Sequence, residues 1–450
     1  MTAVKNCNQY ILYSNIMNSL SKNVFKNQLI SLTMIIGIDD TDSKNGGCTT
    51  HLGAVLKNNL EVQLGTRIKA RLIRLNPTIK YKTRGNASVG LKIDGNYDVI
   101  DVVKEHIKKM AHFHDENTNP GAVILESDDP PQDIRQFSTE AMVSTLSIQQ
   151  ALQLIERHDL GFISFKNGRG LIGALAAVGA GLEVERTYEL VAYRYTQNFG
   201  KKRYINRDSV FRSDLMTYPF TWDTVDRSNN CVVFSPHSPD PILYGIRGDN
   251  PTKILTAQSL LISEPFEHLV IFETNQGTDV HLRKTKIKDL REGESYRVFG
   301  VVDKEPWTIK GGHTFLSIKE GDSLLCAAFE PTRAFREVIR KLKIGDKVHV
   351  CGSYLNDCLN LEKLHIVDLA DVYERANPTC CSKRMKSMGK DQGFRCEKCR
   401  NTTDKSHTPL FKIERNLDLG FYECPPSARR HLSKPIVRLR GTGNPIFPSR

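Results

Sequence analysis

The sequence predicts an α+β protein of several domains. Its 450 residues exceed one compact core, because domains usually span about 100–200 residues. Strands and helices alternate between residues 34 and 126, short strands follow one another after about residue 290, and four of the eleven cysteines fall within residues 380–399. These patterns predict α/β layers first, a β-barrel next and a metal-binding ribbon last.

The first region, from Met34, alternates strand and helix. Apolar runs predict its strands, and apolar residues at helical spacing predict its helices. The order β-α-β-β-α-β is the split pattern of ferredoxin-like layers. In chain order the segments are MIIGI, the helix containing Leu52 and Leu60, KARLIRL, ASVGLKID, the helix YDVIDVVKEHIKKMA, and GAVILE.

Two further helices and a second α/β layer follow. The helices are predicted in STEAMVSTLSIQQALQLIERHDL and GRGLIGALAAVGAGL. The second layer has about one hundred residues, which is the size of a small domain. Its predicted elements are the strands YELVAYRY and CVVFSP, the helix PTKILTAQSLLI and the strand HLVIFET.

Five short strands after residue 290 predict an OB-fold barrel. One helix, TRAFREVIRKL, separates the third strand from the fourth, as in that fold. OB-folds often bind single-stranded nucleic acid. The strands are YRVFGVV, HTFLSIK, SLLCAAFE, DKVHVCGSY and LNLEKLHIVDL.

The cysteine cluster predicts a zinc ribbon. Cys396 and Cys399 form the knuckle CEKC, and a second CxxC pair about fifteen residues earlier would complete a four-cysteine site. Cys380 and Cys381 stand there instead, and adjacent cysteines chelate one tetrahedral ion poorly. A ribbon held by packing is therefore the alternative. Eleven cysteines in so long a chain are too few for a disulfide scaffold.

Charge favours a polyanionic partner. The chain has 63 Lys and Arg against 51 Asp and Glu, a net charge of +12, which favours nucleic acid, while a generally basic surface is the alternative. The C-terminal segment PPSARRHLSKPIVRLR groups Arg429, Arg430, His431 and Lys434. We predict that these four side chains bind RNA phosphates.

The N-terminal residues 1–33 are rich in Asn, Lys and Ser, and we predict a disordered extension upstream of a functional start at Met34. They lack the compact apolar run of a signal peptide. No segment approaches the ~18 uninterrupted apolar residues of a membrane span. We therefore predict a cytoplasmic protein without a membrane partner.

Three carboxylates, Asp39, Asp40 and Asp42, follow the first strand directly. The carboxyl ends of strands are where α/β sheets usually bind ligands, and Mg²⁺ typically binds one or two carboxylates together with substrate phosphates. Thr49 lies where a helix should begin, with amides that would face an anion. The segment therefore predicts a Mg²⁺–phosphate site, and a solvated structural turn is the alternative.

Two further loops are candidates for phosphate binding. RLNPTIKYKTRGNASV contains Lys82 and Arg84, although a charged hairpin face is an equally good interpretation. KNGRGLIGALAA places Gly168, Arg169 and Gly170 before an apolar helix, an arrangement that can bind anions. We assign these five residues to binding of a nucleotide cofactor, although glycine-rich helix starts are common.

Several long motifs resemble the archaeal isoleucine-tRNA 2-agmatinylcytidine synthetase family. The resemblance runs from Met34 to near residue 440 and does not cover residues 1–33. The motifs, in order, are GIDDTDS, GCTT, RLIRLNPTIKYKTRGN, NPGAV, GRGLIGALAAVGA, LYGIRG, AAFEPTRAFR, QGFRCEKC and PPSARRHLSKP.

The resemblance implies an ATP-dependent ligase. The family joins agmatine to C2 of the wobble cytidine of the CAU-anticodon isoleucine tRNA, so that the tRNA reads AUA. ATP is consumed to AMP and phosphates, and the C2 oxygen is phosphorylated before agmatine displaces it. Agmatine is a dication, so its pocket should be acidic or rich in carbonyls.

The resemblance also implies domains and residue roles. Its domains would be a threonine/cytidine kinase-like α/β domain at 34–183, a ferredoxin-like domain at 184–285, an OB-fold at 286–372, and a zinc ribbon with the basic tail at 373–450. The catalytic carboxylates would be Asp39, Asp40 and Asp42, and Thr49 would be autophosphorylated. The zinc ligands would be Cys380, Cys381, Cys396 and Cys399.

Two other functions remain open. One is a non-catalytic tRNA-binding protein that uses the barrel and the ribbon, although simple binding gives no reason for three carboxylates beside phosphates. The other is a kinase in which Thr49 is a phosphorylation switch, against which the basic tail and the barrel argue.

Overall fold

The computed structural model describes residues 33–83, 85–182, 185–404 and 410–450. The predicted N-terminal extension lies outside the described residues, except for Thr33, which begins the first strand. Within these ranges, no helix has both the length and the apolar character that crossing a bilayer requires.

The first region has the predicted β-α-β-β-α-β order, and its four strands pair antiparallel in the order β4-β1-β3-β2. Alternate residues of β1 face opposite sides: Met34, Ile36 and Ile38 join the core beneath α1 and α2, while Ile35 joins the core on the other face. The elements are β1 Thr33–Asp39, α1 Thr49–Leu64, β2 Ile68–Arg74, β3 Ala87–Asp94, α2 Ile100–Met110 and β4 Gly121–Leu125.

Three helices cover the other face of this sheet, where the sequence predicts one long helix and a second. The long helix is broken at residues 144–147, because Ser147 begins a new helix with a capping box: its side chain accepts from the Gln150 amide, and Gln150 caps the Ser147 amide in return. The elements are α3 Gln132–Val143, α4 Ile148–Arg157, β5 Gly161–Ser164 and α5 Gly170–Gly179.

The sequence predicts a strand over CVVFSP in the second layer, and this prediction is wrong beyond the first two residues. Only Cys231–Val232 is a strand, and residues 233–239 form a loop in which Pro236 and Pro239 lack the amide that a sheet ladder needs. Helix α6 and strand β10 were not predicted. The elements are β6 Thr187–Arg194, α6 Arg207–Thr217, β7 Thr221–Trp222, β8 Val225–Asp226, β9 Cys231–Val232, β10 Ile242–Gly248, α7 Pro251–Ser259 and β11 Phe266–Thr274.

The two layers share one sheet of nine strands in the order β5-β4-β1-β3-β2-β11-β6-β10-β7. They join where β2 and β11 run parallel, with Ala70 opposite Phe272 and Leu72 opposite Thr274. The core beneath the first layer continues across this junction to Val191. The two α/β layers therefore meet along a continuous backbone ladder, which the sequence analysis did not anticipate.

The third region is a closed five-stranded ring in which β13, β14, β15, β17 and β16 pair in turn and β16 returns to β13. A helix lies between the third and fourth strands, as predicted. The elements are β12 Leu282–Lys284, β13 Glu294–Thr308, β14 Thr314–Glu320, β15 Asp322–Ala328, α8 Ala334–Arg340, β16 Lys347–Leu355 and β17 Cys358–Asp368.

The cysteine region forms short strands on a two-stranded stem, after which the chain returns to the barrel. Strand β25 pairs with β17, and residues 424–439, which we call the tail strap, then run back towards the second layer. The strands are β18 Tyr373–Arg375, β19 Thr379–Cys380, β20 Lys383–Arg384, β21 Lys386–Ser387, β22 Phe394–Arg395, β23 Thr402–Thr403, β24 Leu410–Lys412, β25 Gly420–Glu423 and β26 Ile446–Phe447.

Candidate active site

The acidic turn, residues 39–42, leaves the end of β1. Asp40 has a φ of 58°, in the left-handed region, so the chain reverses sharply there. Arg169 approaches the Asp40 carboxylate with Nη2 at 2.8 Å, and the Thr83 hydroxyl donates to Asp42 at 2.9 Å. The turn thus brings Arg169, which the sequence predicts to bind nucleotide, to the predicted catalytic carboxylates.

Burial makes the carboxyls of Asp39 and Asp40 costly to ionise. It is the main cause that raises the pKa of Asp39 well above its usual value, and the charges of Asp40 and Asp42 add to the effect. Burial also raises the pKa of Asp40, although Arg169 opposes it. A cation bound at the turn would relieve this cost.

The glycine-rich helix α5 packs directly on the acidic turn. A Cβ atom built on Gly173 would lie 2.5 Å from Cγ of Asp39, and one on Gly170 would lie 2.9 Å from the Asp39 carbonyl oxygen. Close packing of helix on strand therefore accounts for Gly170, which the sequence analysis assigns to nucleotide binding. Gly168 has a φ of 78° and precedes the helix in a turn.

A first cavity of about 370 Å³ opens beside the turn. All three aspartates and Arg169 line it, together with Lys82. Its remaining wall is largely apolar, and the Arg169 guanidinium lies 5.6 Å from the Tyr81 ring centre. An apolar wall with cations at one end suits a nucleotide base and its phosphates. The apolar lining includes Leu75, Ile79, Leu146, Ile148 and Ile172.

Arg84, the other predicted nucleotide contact, lies outside the described residues.

A second cavity, of about 380 Å³, shares Asp42, Gly85 and Ala87 with the first. We call it the middle cavity, because the first layer, the second layer and the tail strap all contribute to its wall. The second layer contributes three charged residues to this cavity that were not predicted: Glu189, Asp240 and Arg247. Of these three, only Arg247 had a signal in the sequence, because it stands within the motif LYGIRG.

Positive and negative side chains pair with one another in the wall of the middle cavity. Arg247 donates to Glu189 at 3.1 Å, and Arg74 lies 3.7 Å from the same carboxylate. Burial alone would raise the pKa of Glu189, but the two arginines and a hydrogen bond from Gln276 together outweigh it, and the pKa is lowered. Desolvation, with the charges of Arg74 and Arg247 next, holds the pKa of His431 well below its usual range, so its imidazole is neutral.

Thr49 is the first residue of α1 and lines the middle cavity. Its side chain is buried, and its hydroxyl oxygen accepts from the Thr41 hydroxyl at 3.1 Å. Asp42 is the aspartate that lines both cavities. Asp42 therefore lies at the boundary of the two cavities, and Thr49 lies in the wall of the middle cavity.

The four residues predicted to bind RNA all have partners within the protein. Arg429 is buried between Asp223 of the second layer and Glu423 of β25. This position gives no support to an RNA contact for Arg429, because its guanidinium already pairs with two carboxylates. Arg430 lies 3.3 Å from Glu362, His431 bonds Gln276 at 3.1 Å, and Lys434 lies 2.7 Å from Glu185.

The four cysteines Cys380, Cys381, Cys396 and Cys399 come together, with all four ligand atoms within 4.8 Å of one another. Cys381 has a φ of 49°, and this left-handed turn lets adjacent cysteines reach one point. Backbone amides of Cys399 and Lys398 lower the pKa of Cys396 to about 7, which favours the thiolate that zinc binds. The donor set therefore fits a tetrahedral zinc ion despite the shortened first pair.

Among the described residues this is the one group of three or more potential ligands that converges so closely. Asp39, Asp40 and Asp42 are not such a group, so ligands from outside the acidic turn, such as phosphate oxygens, would have to complete a metal site there.

The fold and the cysteine site define a multidomain α+β protein with a C-terminal zinc ribbon. Three family models match the chain: the TiaS TCKD domain at residues 35–167, the TiaS FLD domain at 168–281 and the TiaS C-terminal zinc ribbon domain at 377–417. The isoleucine-tRNA 2-agmatinylcytidine synthetase TiaS of Methanosarcina acetivorans is 46% identical over 430 residues, 93% of this chain and 100% of the relative. The chain therefore belongs to the TiaS family of isoleucine-tRNA 2-agmatinylcytidine synthetases.

Solved structures agree in fold. The crystal structure of TiaS in complex with its isoleucine tRNA and ATP is 45% identical with a TM-score of 0.83. That of TiaS with the same tRNA, AMPCPP and agmatine is 42% identical with a TM-score of 0.82. Each alignment covers 92% of this chain and 100% of the other.

Proposed function

We propose that this protein is an ATP-dependent ligase that joins agmatine to C2 of the wobble cytidine of the CAU-anticodon isoleucine tRNA. The product, 2-agmatinylcytidine, lets the tRNA read AUA. The observation that carries the proposal is the meeting of two cavities at Asp42, in a chain that is 46% identical to a synthetase along the whole length of that relative.

The chemistry explains why two cavities must meet. A urea-like C2 carbonyl is a poor electrophile, and phosphorylating its oxygen creates a leaving group that the agmatine amine displaces. ATP would occupy the first cavity, with its base on the apolar wall and its phosphates near Arg169 and Lys82. The target cytosine would occupy the middle cavity, so that its C2 oxygen faces the phosphates past Asp42.

The acidic turn would hold Mg²⁺ together with the ATP phosphates. The fit rests on carboxyls that are expensive to ionise alone, and on the usual preference of Mg²⁺ for one or two carboxylates plus phosphate oxygens. When bound, the ion neutralises charge on the transferring phosphoryl group. Asp39, Asp40 and Asp42 are its ligands in this proposal, and Arg169 orients Asp40.

Thr49 is the proposed autophosphorylated residue. Its position at the start of α1, in the cavity wall that also contains Asp42, supports this role because a phosphate there would face the helix amides. Agmatine would bind in the middle cavity with the cytosine. Glu189 already pairs with Arg74 and Arg247, so the dication would face Asp42 and Asp240, the other two carboxylates that line the cavity.

We also propose the domain roles that accompany this function. The division at residues 183–184 is supported by helix α5, which packs on β1 and β4 of the first layer. Residues 286–372 are proposed to be an OB-fold, because their ring closes with a helix between the third and fourth strands. An enzyme that uses tRNA and ATP as substrates would act in the cytoplasm.

The test is mass spectrometry of nucleosides from the CAU-anticodon tRNA after incubation with the protein, ATP and agmatine. We expect 2-agmatinylcytidine, and none without ATP. Tight tRNA binding without any modified nucleoside would instead establish the non-catalytic tRNA-binding alternative.

A further inference from the structure

Two basic grooves adjoin the middle cavity at different walls. The first, which we call the Lys80 groove, has a volume of about 700 Å³ and shares Arg74, Gly85 and His431 with the cavity. The second, the Lys201 groove, has a volume of about 460 Å³ and shares the loop residues 235–238 with it. The shared walls make one path from groove to cavity to groove.

The Lys201 groove carries two exposed cations on a fixed backbone. Arg194, which is buried and lies 2.8 Å from Glu264, donates to the carbonyl oxygens of Lys201 and Lys202 at 2.8 and 3.3 Å. Both lysine side chains are exposed, and neither forms an ion pair with any described residue. Arg194 thus fixes the backbone at both lysines, while their side-chain charges form no ion pair with the described residues.

The Lys80 groove concentrates positive charge in the same way. Lys80 is exposed and has no ion-pair partner among residues that the structure describes. Lys82 and Arg430 also line the groove, and burial, followed by the charge of Arg430, lowers the pKa of Lys82. Because Arg430 pairs with Glu362 and Lys82 also lines the first cavity, Lys80 is the cation of this groove that is available to an RNA phosphate.

We propose that the two grooves bind the phosphodiester backbone on either side of the nucleotide whose base enters the middle cavity, so that a single strand of the substrate tRNA lies along the Lys80 groove, the cavity and the Lys201 groove. This inference rests on the proposed function, which places the target base in that cavity. Positively charged grooves that follow the backbone are the usual way to hold a single strand, and chemistry on a base requires the base to leave its stack.

The two grooves would position the RNA strand and would not read its sequence. Phosphate contacts fix position and register but do not read sequence. The path therefore predicts that Lys80, Lys201 and Lys202 affect how the strand is placed, while the chemistry at the acidic turn remains intact once the strand is bound.

The experiment compares the double variant Lys201→Ala/Lys202→Ala with a matched control, Lys104→Ala/Lys109→Ala. The control removes two exposed lysines from α2, which do not line the cavity or either groove. For the groove variant we expect a KM for tRNA raised about tenfold or more, and a salt dependence flattened by about 0.7 in slope for each lost single-strand contact. Lys201→Arg/Lys202→Arg should restore binding, and the KM for ATP should not change.

The outcomes separate this inference from the proposed function. An active wild-type enzyme whose groove and control variants have the same KM for tRNA and the same salt slope would overturn the groove proposal and leave the ligase intact. Wild-type protein that makes no 2-agmatinylcytidine would overturn the ligase. If tRNA affinity then still fell in the groove variant alone, the strand path would stand.

Discussion

Gly173 is the position at which a single added methyl group should disturb the acidic turn. A Cβ atom there would overlap Oδ2 of Asp39 and lie 2.5 Å from its Cγ, well inside the 3.4 Å at which ordinary contact begins. Either α5 or the Asp39 carboxyl must move. Overpacking of this kind costs about 1–3 kcal/mol, and replacing a helical Gly by Ala returns about 1 kcal/mol, so Gly173→Ala should lose about 0–2 kcal/mol of unfolding free energy.

The effect on turnover should be far larger than the effect on stability. Displacing a positioning group by about 1 Å can cost about 100-fold in rate, so we expect turnover to fall by about two orders of magnitude. The control is Gly161→Ala on β5, whose added Cβ atom would meet Ile124 at an ordinary 3.5 Å. Denaturant unfolding and nucleoside mass spectrometry measure the two quantities. Equal turnover in Gly173→Ala and Gly161→Ala would refute the reasoning.

Three further predictions address the chemistry and the ends of the chain. Asp39→Asn or Asp40→Asn should abolish 2-agmatinylcytidine while tRNA binding persists, and near-normal turnover in both would exclude a metal-binding role. Deleting residues 1–32 should leave turnover unchanged, and a large loss in a folded protein would show that this segment contributes. Replacing residues 376–409 by an Asn-Gly turn should remove the bound zinc and raise the KM for tRNA far more than that for ATP, and equal effects on the two constants would count against a tRNA contact by the ribbon.

The replacement of residues 376–409 removes the ribbon but keeps its two-stranded stem. Strands β18 and β24 pair antiparallel and bring Arg375 opposite Leu410, so a two-residue turn can close the chain there. Removing everything from residue 373 onward would instead take β25 and the tail strap with it. Because Arg429 of the strap bridges Asp223 and Glu423, that larger truncation would destabilise the protein and could not isolate a tRNA contact.

Local patterns predicted much of the architecture. The apolar run at Met34 and the carboxylates after it located β1 and the acidic turn, because a buried strand and its polar end are visible in composition alone. The break at Ser147 also has a local signal, since Ser147 and Gln150 have the spacing of a capping box. The apolar pattern continues across the break, however, and it is this pattern that predicts one long helix.

Other features depend on contacts between distant segments. Glu189 and Arg247 reach the middle cavity because β2 and β11 pair through their backbones, and backbone pairing leaves no side-chain signature in the sequence. The burial of Arg429 was hidden for a related reason. A run of basic residues looks the same whether its charges face solvent or face carboxylates that lie about two hundred positions earlier, as Asp223 does for Arg429.

The tail strap has a consequence for biosynthesis. Pro426, Ser427, Arg429 and His431 complete the wall of the middle cavity, yet the ribosome makes them after both α/β layers, the barrel and the ribbon. A nascent or prematurely ended chain therefore has an open half-cavity, even if its other domains have already folded. The cavity can be complete only after the strap has been translated. We therefore expect chains that stop before the strap to have no catalytic activity.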